Sequence, residues 1–352
     1  TISRSSPIQI GTLTNWASVT ASGGGAVGCW TYAIKTNGSL WAWGAGSSGQ
    51  LGNGLATDRS SPIQIGTLTN WSKVVAGGSH GLAIKSDGTL WAWGMNSSGQ
   101  IGNGTVVTTS SPVQVGTLTT WSDIAGGGIC SFAVKTNGTL WAWGYNNLGQ
   151  LGDGTNTNKL TPTGVFDQVE SIEAGWYYTM GTTTFGNMWS CGQNVFGQLG
   201  DGTTTERNWI SVSNSNNHQL ISAGAYHTFS LYTDGSLGAS GLNGQGRLGD
   251  GTTINRITLT PITCPTNNLG INDFTETNTV KVYPNPVNDI LNISFEQGIS
   301  SVLIYNLVGQ EVFSKSINAN KTTIDVSQLV SGTYLVKVNV GDITKTVKIV
   351  KQ

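Results

Sequence analysis

The side chains able to do chemistry are few and scattered. Histidine stands only at His80, His218 and His227, and cysteine at Cys29, Cys130, Cys191 and Cys264. No two cysteines form a C-x-x-C pair, so they outline neither a metal ribbon nor a redox pair. His80, Trp30, Cys130, Tyr178 and His227 occupy corresponding places in a recurring unit. A metal needs three or four N, S or O ligands converging on one point, and aromatics hold two of these five places. The column is therefore read as a variable strand start. Asn53, Asn103, Asp153, Asp201 and Asp250 recur between glycines. Calcium demands a denser set of oxygens, whereas an Asx turn accounts for each residue locally. Asp167, Glu170 and Glu173 are close in sequence, but nothing in their spacing aims two of them across one sugar ring. No G-x-S-x-G elbow, phosphate loop or H-E-x-x-H segment is present. The expectation is a non-enzymatic chain without catalytic residues, metal or cofactor. What remains is aromatic: Trp30, Trp176, Tyr177, Tyr178 and Trp209 interrupt the repeat with large rings. They are read as candidate interaction residues in rim loops, facing a protein or glycan.

The elements that must position those rings follow from composition and period. The 352 residues include 50 Gly and 13 Trp, and charged residues make up only 10%, against roughly 25% in an ordinary domain. Glycine never falls at every third position, which excludes collagen, and so apolar and aromatic a chain is not disordered. The net charge is -1, carried by residues 1–270, with 0 in 271–352. Neither part has a nucleic-acid footprint. No apolar run reaches the roughly 18 residues of a membrane span. The chain starts at Thr1 without a basic or apolar leader region, so any signal peptide is expected to lie outside this sequence.

The stretch Leu40-Trp-Ala-Trp-Gly44 recurs at 90–94 and 140–144, then as Met188–Gly192 and Leu237–Gly241. The closing glycines lie 50, 50, 48 and 49 residues apart. A G-(Q/R)-(L/I)-G-(N/D)-G element follows each time, and Pro-(Ile/Val)-Gln-(Ile/Val) segments lead to Trp16, Trp71 and Trp121. Such periods belong to solenoids and propellers. Within a unit every signal is strand or turn. Gly81–Lys85 and Thr89–Trp93 read as two strands around Asp87-Gly88, a turn expected to place both central residues at positive φ. Four short strands in about 50 residues make one propeller blade. The exact repetition of Trp41, Trp43, Trp91, Trp93, Trp141 and Trp143 marks these as core. Residues 1–262 hold about 5.2 units and the first starts mid-repeat, so N-terminal truncation of a larger ring is expected. Trp16 to Leu40 is five residues longer than its counterparts, an insertion within 20–30.

These motifs resemble the regulator-of-chromosome-condensation repeat family over residues 1–262. The resemblance implies a seven-bladed β-propeller. The family includes a nuclear guanine-nucleotide exchange factor and secreted bacterial members, one of which acts by protein–protein contact. Exchange on a small GTPase is the alternative it implies. A third reading is an exported enzyme whose catalytic part lies outside this chain.

Residues 263–278 read as a linker rich in turn formers. From 279 to 352 clean period-2 segments follow, with Leu291, Ile293 and Phe295, and Tyr334, Val336, Val338 and Val340, on the inward side. They predict a small immunoglobulin-like β-sandwich of roughly seven strands. Val282-Tyr-Pro-Asn-Pro-Val, Ile304-Tyr-Asn-Leu-Val-Gly-Gln, Leu329–Lys337 and Lys345–Lys351 together resemble the type A C-terminal sorting domain of the type IX secretion system, a match starting near 270. Its motif residues here are Tyr283, Pro284, Asn285, Pro286, Gly309, Gly332, Tyr334, Lys348 and Lys351. The resemblance implies a partner in the outer-membrane translocon, a processing peptidase, and a place in the medium or on the surface of a Bacteroidetes-type bacterium.

Overall fold

The computed structural model describes residues 9–22, 28–213, 215, 217–263, 280–341 and 343–352. The chain divides into two units, Thr1–Cys264 and Pro265–Gln352. The first consists of five antiparallel four-stranded sheets. β1 (Trp16–Ala21), β2 (Trp30–Lys35), β3 (Leu40–Gly44) and β4 (Arg59–Gln64) form the first blade. The second comprises β5 (Trp71–Ala76), β6 (His80–Lys85), β7 (Leu90–Gly94) and β8 (Thr109–Gln114). The third comprises β9 (Trp121–Gly126), β10 (Cys130–Lys135), β11 (Leu140–Gly144) and β12 (Lys159–Phe166). In the fourth are β13 (Val169–Ala174), β14 (Tyr178–Thr183), β15 (Met188–Gly192) and β16 (Arg207–Val212). The fifth holds β17 (His218–Ala223), β18 (His227–Tyr232), β19 (Leu237–Gly241) and β20 (Arg256–Pro261). The expected insertion lies largely, and the expected linker almost wholly, outside the described residues.

Both faces of the second, third and fourth blades are buried against neighbours, and alternation decides which side chain goes where. On β6, Leu82 and Ile84 pack forward against Trp121, Ile124 and Trp143, while Ala83 packs back into the core shared with the first blade. Two further cores join the third blade to the fourth and the fourth to the fifth. Val74, Ile124, Ile172 and Ile221 are the backward-facing apolar residues of the innermost strands and are 3–6% exposed. Val19, at the same place in the first blade, has no described blade before it and is 70% exposed.

The hairpin turn differs from expectation. Gly38, Gly88, Gly138 and Gly235 are at positive φ, but Asn37, Asp87, Asn137 and Asp234 are not. Lys85 N–H donates to the Thr89 carbonyl and Gly88 N–H to the Lys85 carbonyl, a type I turn closed by a left-handed glycine rather than a type I′ turn. The Asn or Asp is there for its carboxamide or carboxylate oxygen, which accepts the N–H two residues on, as Asp87 does from Thr89 at 3.0 Å.

The second unit is a five-stranded sheet, β21 (Lys281–Tyr283), β22 (Ile290–Asn306), β23 (Glu311–Asp325), β24 (Gly332–Val340) and β25 (Ile343–Lys351). Sequence periodicity suggested about seven strands because β22 and β23 each cross both layers. Residues 290–294 of β22 pair with β21 and with the end of β23, whereas 301–306 pair with β24 and with the start of β23. Register shifts between Ser294 and Ser301 separate the halves. Leu291 and Ile293 from one half share a core with Val302, Ile304, Val336 and Ile349 from the other. Seven strand segments therefore run in five continuous strands.

Candidate functional site

Each inner strand ends in small residues: Ala76-Gly77-Gly78, Gly126-Gly127-Gly128, Ala174-Gly175 and Ala223-Gly224-Ala225. Together with Thr20 and Ala21 they line a cavity of about 400 Å³. The glycines are required by how closely the blades approach. A Cβ on Gly78 would sit 2.3 Å from the Gly128 carbonyl oxygen, and one on Gly128 2.5 Å from that of Trp176. Backbone bonds step from blade to blade around the cavity: Gly78 N–H to the Gly127 carbonyl (2.9 Å), Gly128 to Trp176 (3.2 Å) and Trp176 to Ala225 (3.2 Å).

Loops from first to second strand and from third to fourth strand emerge on one face of every antiparallel blade. On that face Trp176 lines the cavity mouth. Its ring meets Tyr177 edge-on at 6.3 Å, and Tyr177 meets Tyr145 of the third blade at 6.2 Å. Phe196 and Tyr226 form a second edge-on pair at 5.6 Å, between the fourth and fifth blades. All five rings are half-buried. Of the five rings proposed from sequence, Trp176 and Tyr177 belong here. Trp30 and Tyr178 are not loop residues: both open second strands and are buried, Trp30 at 1% exposure. Trp209 is exposed, but on the outer strand β16, where the Arg207 guanidinium lies over its ring at 5.7 Å. Tyr145, Phe196 and Tyr226 escaped sequence reading. The signal was that Tyr145 replaces Ala45 and Met95, and Phe196 replaces Ser48 and Ser98, at loop positions of the repeat.

The other constellations are occupied structurally. Every member of the Trp30–His80–Cys130–Tyr178–His227 column begins a second strand. Four of them cover a glycine three residues earlier, where an added Cβ would strike the ring or sulfur of His80, Cys130, Tyr178 or His227 at 1.9–2.5 Å. Burial pushes the Cys130 thiol up to about 12 and the His80 imidazole down to about 4. Asp153, Asp201 and Asp250 accept the N–H two residues on at 3.0 Å, as do Asn53 and Asn103 at 3.1 Å. The three aspartates also pair with Lys159, Arg207 and Arg256. Glu170 and Glu173 lie at opposite ends of β13, about 10 Å apart at 3.3 Å per residue, and Asp167 sits in the preceding turn.

In the second unit Asn285 holds the last strand through its side chain. Its Nδ2 donates to the Lys348 carbonyl and its Oδ1 accepts from Val350 N–H, both at 2.9 Å. Val287 continues the contact as a parallel bridge to Lys351. Gly309 takes φ +84° in the β22–β23 turn, and the Tyr334 hydroxyl donates to the Val330 carbonyl at 2.8 Å. Lys348 is exposed on β25, whereas Lys351 is buried.

Comparison with known proteins matches residues 5–282 to the RCC1-like domain. The chain belongs to the RCC1-like domain family. Residues 281–352 match the secretion system C-terminal sorting domain, so this RCC1-like propeller is carried by an exported protein. Human WBSCR16 is 21% identical, with a TM-score of 0.60 over 67% of this chain and 65% of its own. Prp20p of Saccharomyces cerevisiae is 20% identical, with a TM-score of 0.56 over 77% and 68%. The structure of yeast RCC1 (Prp20) with Kap60 gives 18%, 0.60, 96% and 80%. These likenesses concern the fold. The RCC1-like chain thus spans just under two thirds of the length of WBSCR16. No curated protein matches it.

Proposed function

We propose that this RCC1-like protein is a non-enzymatic binding module, delivered to the medium or the cell surface of a Bacteroidetes-type bacterium by the type IX system. Its propeller engages an extracellular protein or glycan at the cavity mouth. The aromatic cluster Tyr145, Trp176, Tyr177, Phe196 and Tyr226 carries this reading. Large half-buried rings beside a concave opening combine contact area with little side-chain entropy to lose, the usual make-up of binding hot spots. The sorting domain supports the route, with a processing peptidase cutting between about 262 and 280.

Two measurements test it. In a host with a working type IX system, deleting residues 281–352 should strand the propeller in the periplasm, and export at the normal level would refute the route. Binding of the exported protein to cell-surface or extracellular material should fall at least about tenfold in Trp176→Ala/Tyr177→Ala. Unchanged binding would move the site elsewhere on the propeller.

A further inference from the structure

Resting on the binding reading above, we infer that the cavity takes a cation: an arginine or lysine side chain on a loop of the partner protein, received by Glu173, with Trp176 at its mouth and Tyr177 packed against that ring. The walls consist of the Gly and Ala backbones described above, so the cavity is a slot with room for a side chain. Among the described lining residues Glu173 is the one ionisable group. It forms no ion pair among the described residues. Desolvation, and after it the charge of Asp123, which Lys73 pairs at 2.6 Å, holds the Glu173 carboxyl above its usual range.

The glycine backbone that would otherwise cradle an anion is already committed among the described residues. The N–H groups of Gly77, Gly127, Gly175 and Gly224 all donate within their own blades, and those of Gly78, Gly128 and Trp176 donate to the next blade. Outside the strand backbones, a sugar, whose hydroxyls need several donors as well as acceptors, would find only the Trp176 indole N–H, the Thr20 hydroxyl and the Ala225 N–H uncommitted among the described lining residues. A cation is served instead. The uncompensated carboxylate provides charge, and the rings of Trp176 and Tyr177 offer π faces to a guanidinium or ammonium and its alkyl stem.

The test is an NMR titration of the full chain that follows the Trp176 indole N–H signal, identified by its loss in Trp176→Phe. Nα-acetyl-arginine methylamide should shift that signal, and its neutral citrulline analogue should not. Glu173→Gln, which removes the charge and keeps the shape, should weaken the arginine probe at least about tenfold. Equal binding of the citrulline probe, or an unchanged affinity in Glu173→Gln, overturns the cationic assignment. A shift with maltohexaose but none with arginine overturns it too, while leaving the cavity mouth as a binding face. Silence of all probes also overturns it; the binding face then stands or falls by the Trp176→Ala/Tyr177→Ala measurement.

Discussion

In the second and third blades an indole N–H, from Trp93 or Trp143, crosses to the backbone carbonyl of Gln50 or Gln100 in the preceding blade, each at 2.9 Å. In the fourth and fifth blades Cys191 and Ser240 stand at the indole positions. The carbonyls of Gln150 and Gln198 are met by hydroxyls on the neighbouring strand, Thr179 at 2.9 Å and Thr228 at 2.8 Å. In the third blade the Ser131 hydroxyl already meets Gln100 beside the indole at 2.7 Å, so the fourth and fifth blades keep the hydroxyl donor and lose the indole; a buried carbonyl left unmet would cost about 1–3 kcal/mol. The indole also fills the space between blades, which a threonine hydroxyl cannot. In both pairs of blades the Gln carbonyl is thus met, but the indole packing that joins the earlier boundaries is missing from the later ones.

The largest expected effect breaks that difference open. Trp93 and Trp143 are fully buried, so Trp93→Ala or Trp143→Ala should cost about 3–5 kcal/mol. Cys191→Ala removes a far smaller group and a 3.5 Å contact to Gln150, and should cost roughly 1 kcal/mol. Denaturant unfolding of the four proteins checks this. Comparable losses at Trp143 and Cys191 would show that packing contributes no more to the earlier boundaries than to the later ones.

The same comparison shows how far sequence reading reached. The blades were legible because each strand pair closes on a glycine at a fixed offset, and because Leu-Trp-Ala-Trp lacks the polar alternation of a solvated face. The tail was legible because its inward residues keep period 2. The candidate site was legible only in part. Trp176, Tyr177 and Tyr178 are consecutive aromatics, and only the position of Gly175 under the Tyr178 ring tells which one turns inward. Trp30 looked like a loop residue for the same reason: it starts a strand in a column where other units hold His or Cys. Tyr145 and Tyr226 come from separate units, 81 residues apart in sequence, and only the stacking of blades brings them to one face.

His80 sharpens the comparison at the boundary between the second and third blades. Its Nε2 lies 2.8 Å from Ser131 Oγ, and that hydroxyl donates to the Gln100 carbonyl. The imidazole therefore donates from Nε2, leaving Nδ1 buried without a partner. Protonation would put a charge on Nδ1 with nothing to receive it, in keeping with a value of about 4 against the ordinary 6.5. A histidine with a lowered folded-state value binds more protons when unfolded, so stability is complete above pH 6.5 and falls as the pH drops towards 4. The loss should reach about 2.5 kcal/mol by pH 4.5. His80→Cys, which installs the third blade's residue, should lose that much less stability between pH 7 and 4.5. Parallel pH profiles for the two proteins would rule out His80 as the titrating group.

The smallest effect concerns a feature that the first three blades have and the last two lack. Lys35, Lys85 and Lys135 lie over the rings of Trp41, Trp91 and Trp141 at 3.7, 3.5 and 3.8 Å, with Trp16, Trp71 and Trp121 on the other side at 4.8–5.5 Å. Thr183 and Tyr232 replace the lysine in the fourth and fifth blades. Lys85 is 6% exposed, and burial lowers its ammonium below the usual lysine range, opposed by the charge of Asp87. Its positive charge is held largely by two π faces, an arrangement worth about 1–2 kcal/mol when desolvated. A double-mutant cycle with Lys85→Met and Trp91→Leu isolates that coupling, since methionine keeps the alkyl stem and leucine keeps an apolar contact without the quadrupole. The coupling should be about 1–2 kcal/mol for this pair. It should be smaller for Lys135 and Trp141, where the lysine is only half-buried. A coupling near zero at Lys85 would mean that the tryptophans serve only as apolar cover for the lysine stem, and that the first three blades gain nothing electrostatic over the last two.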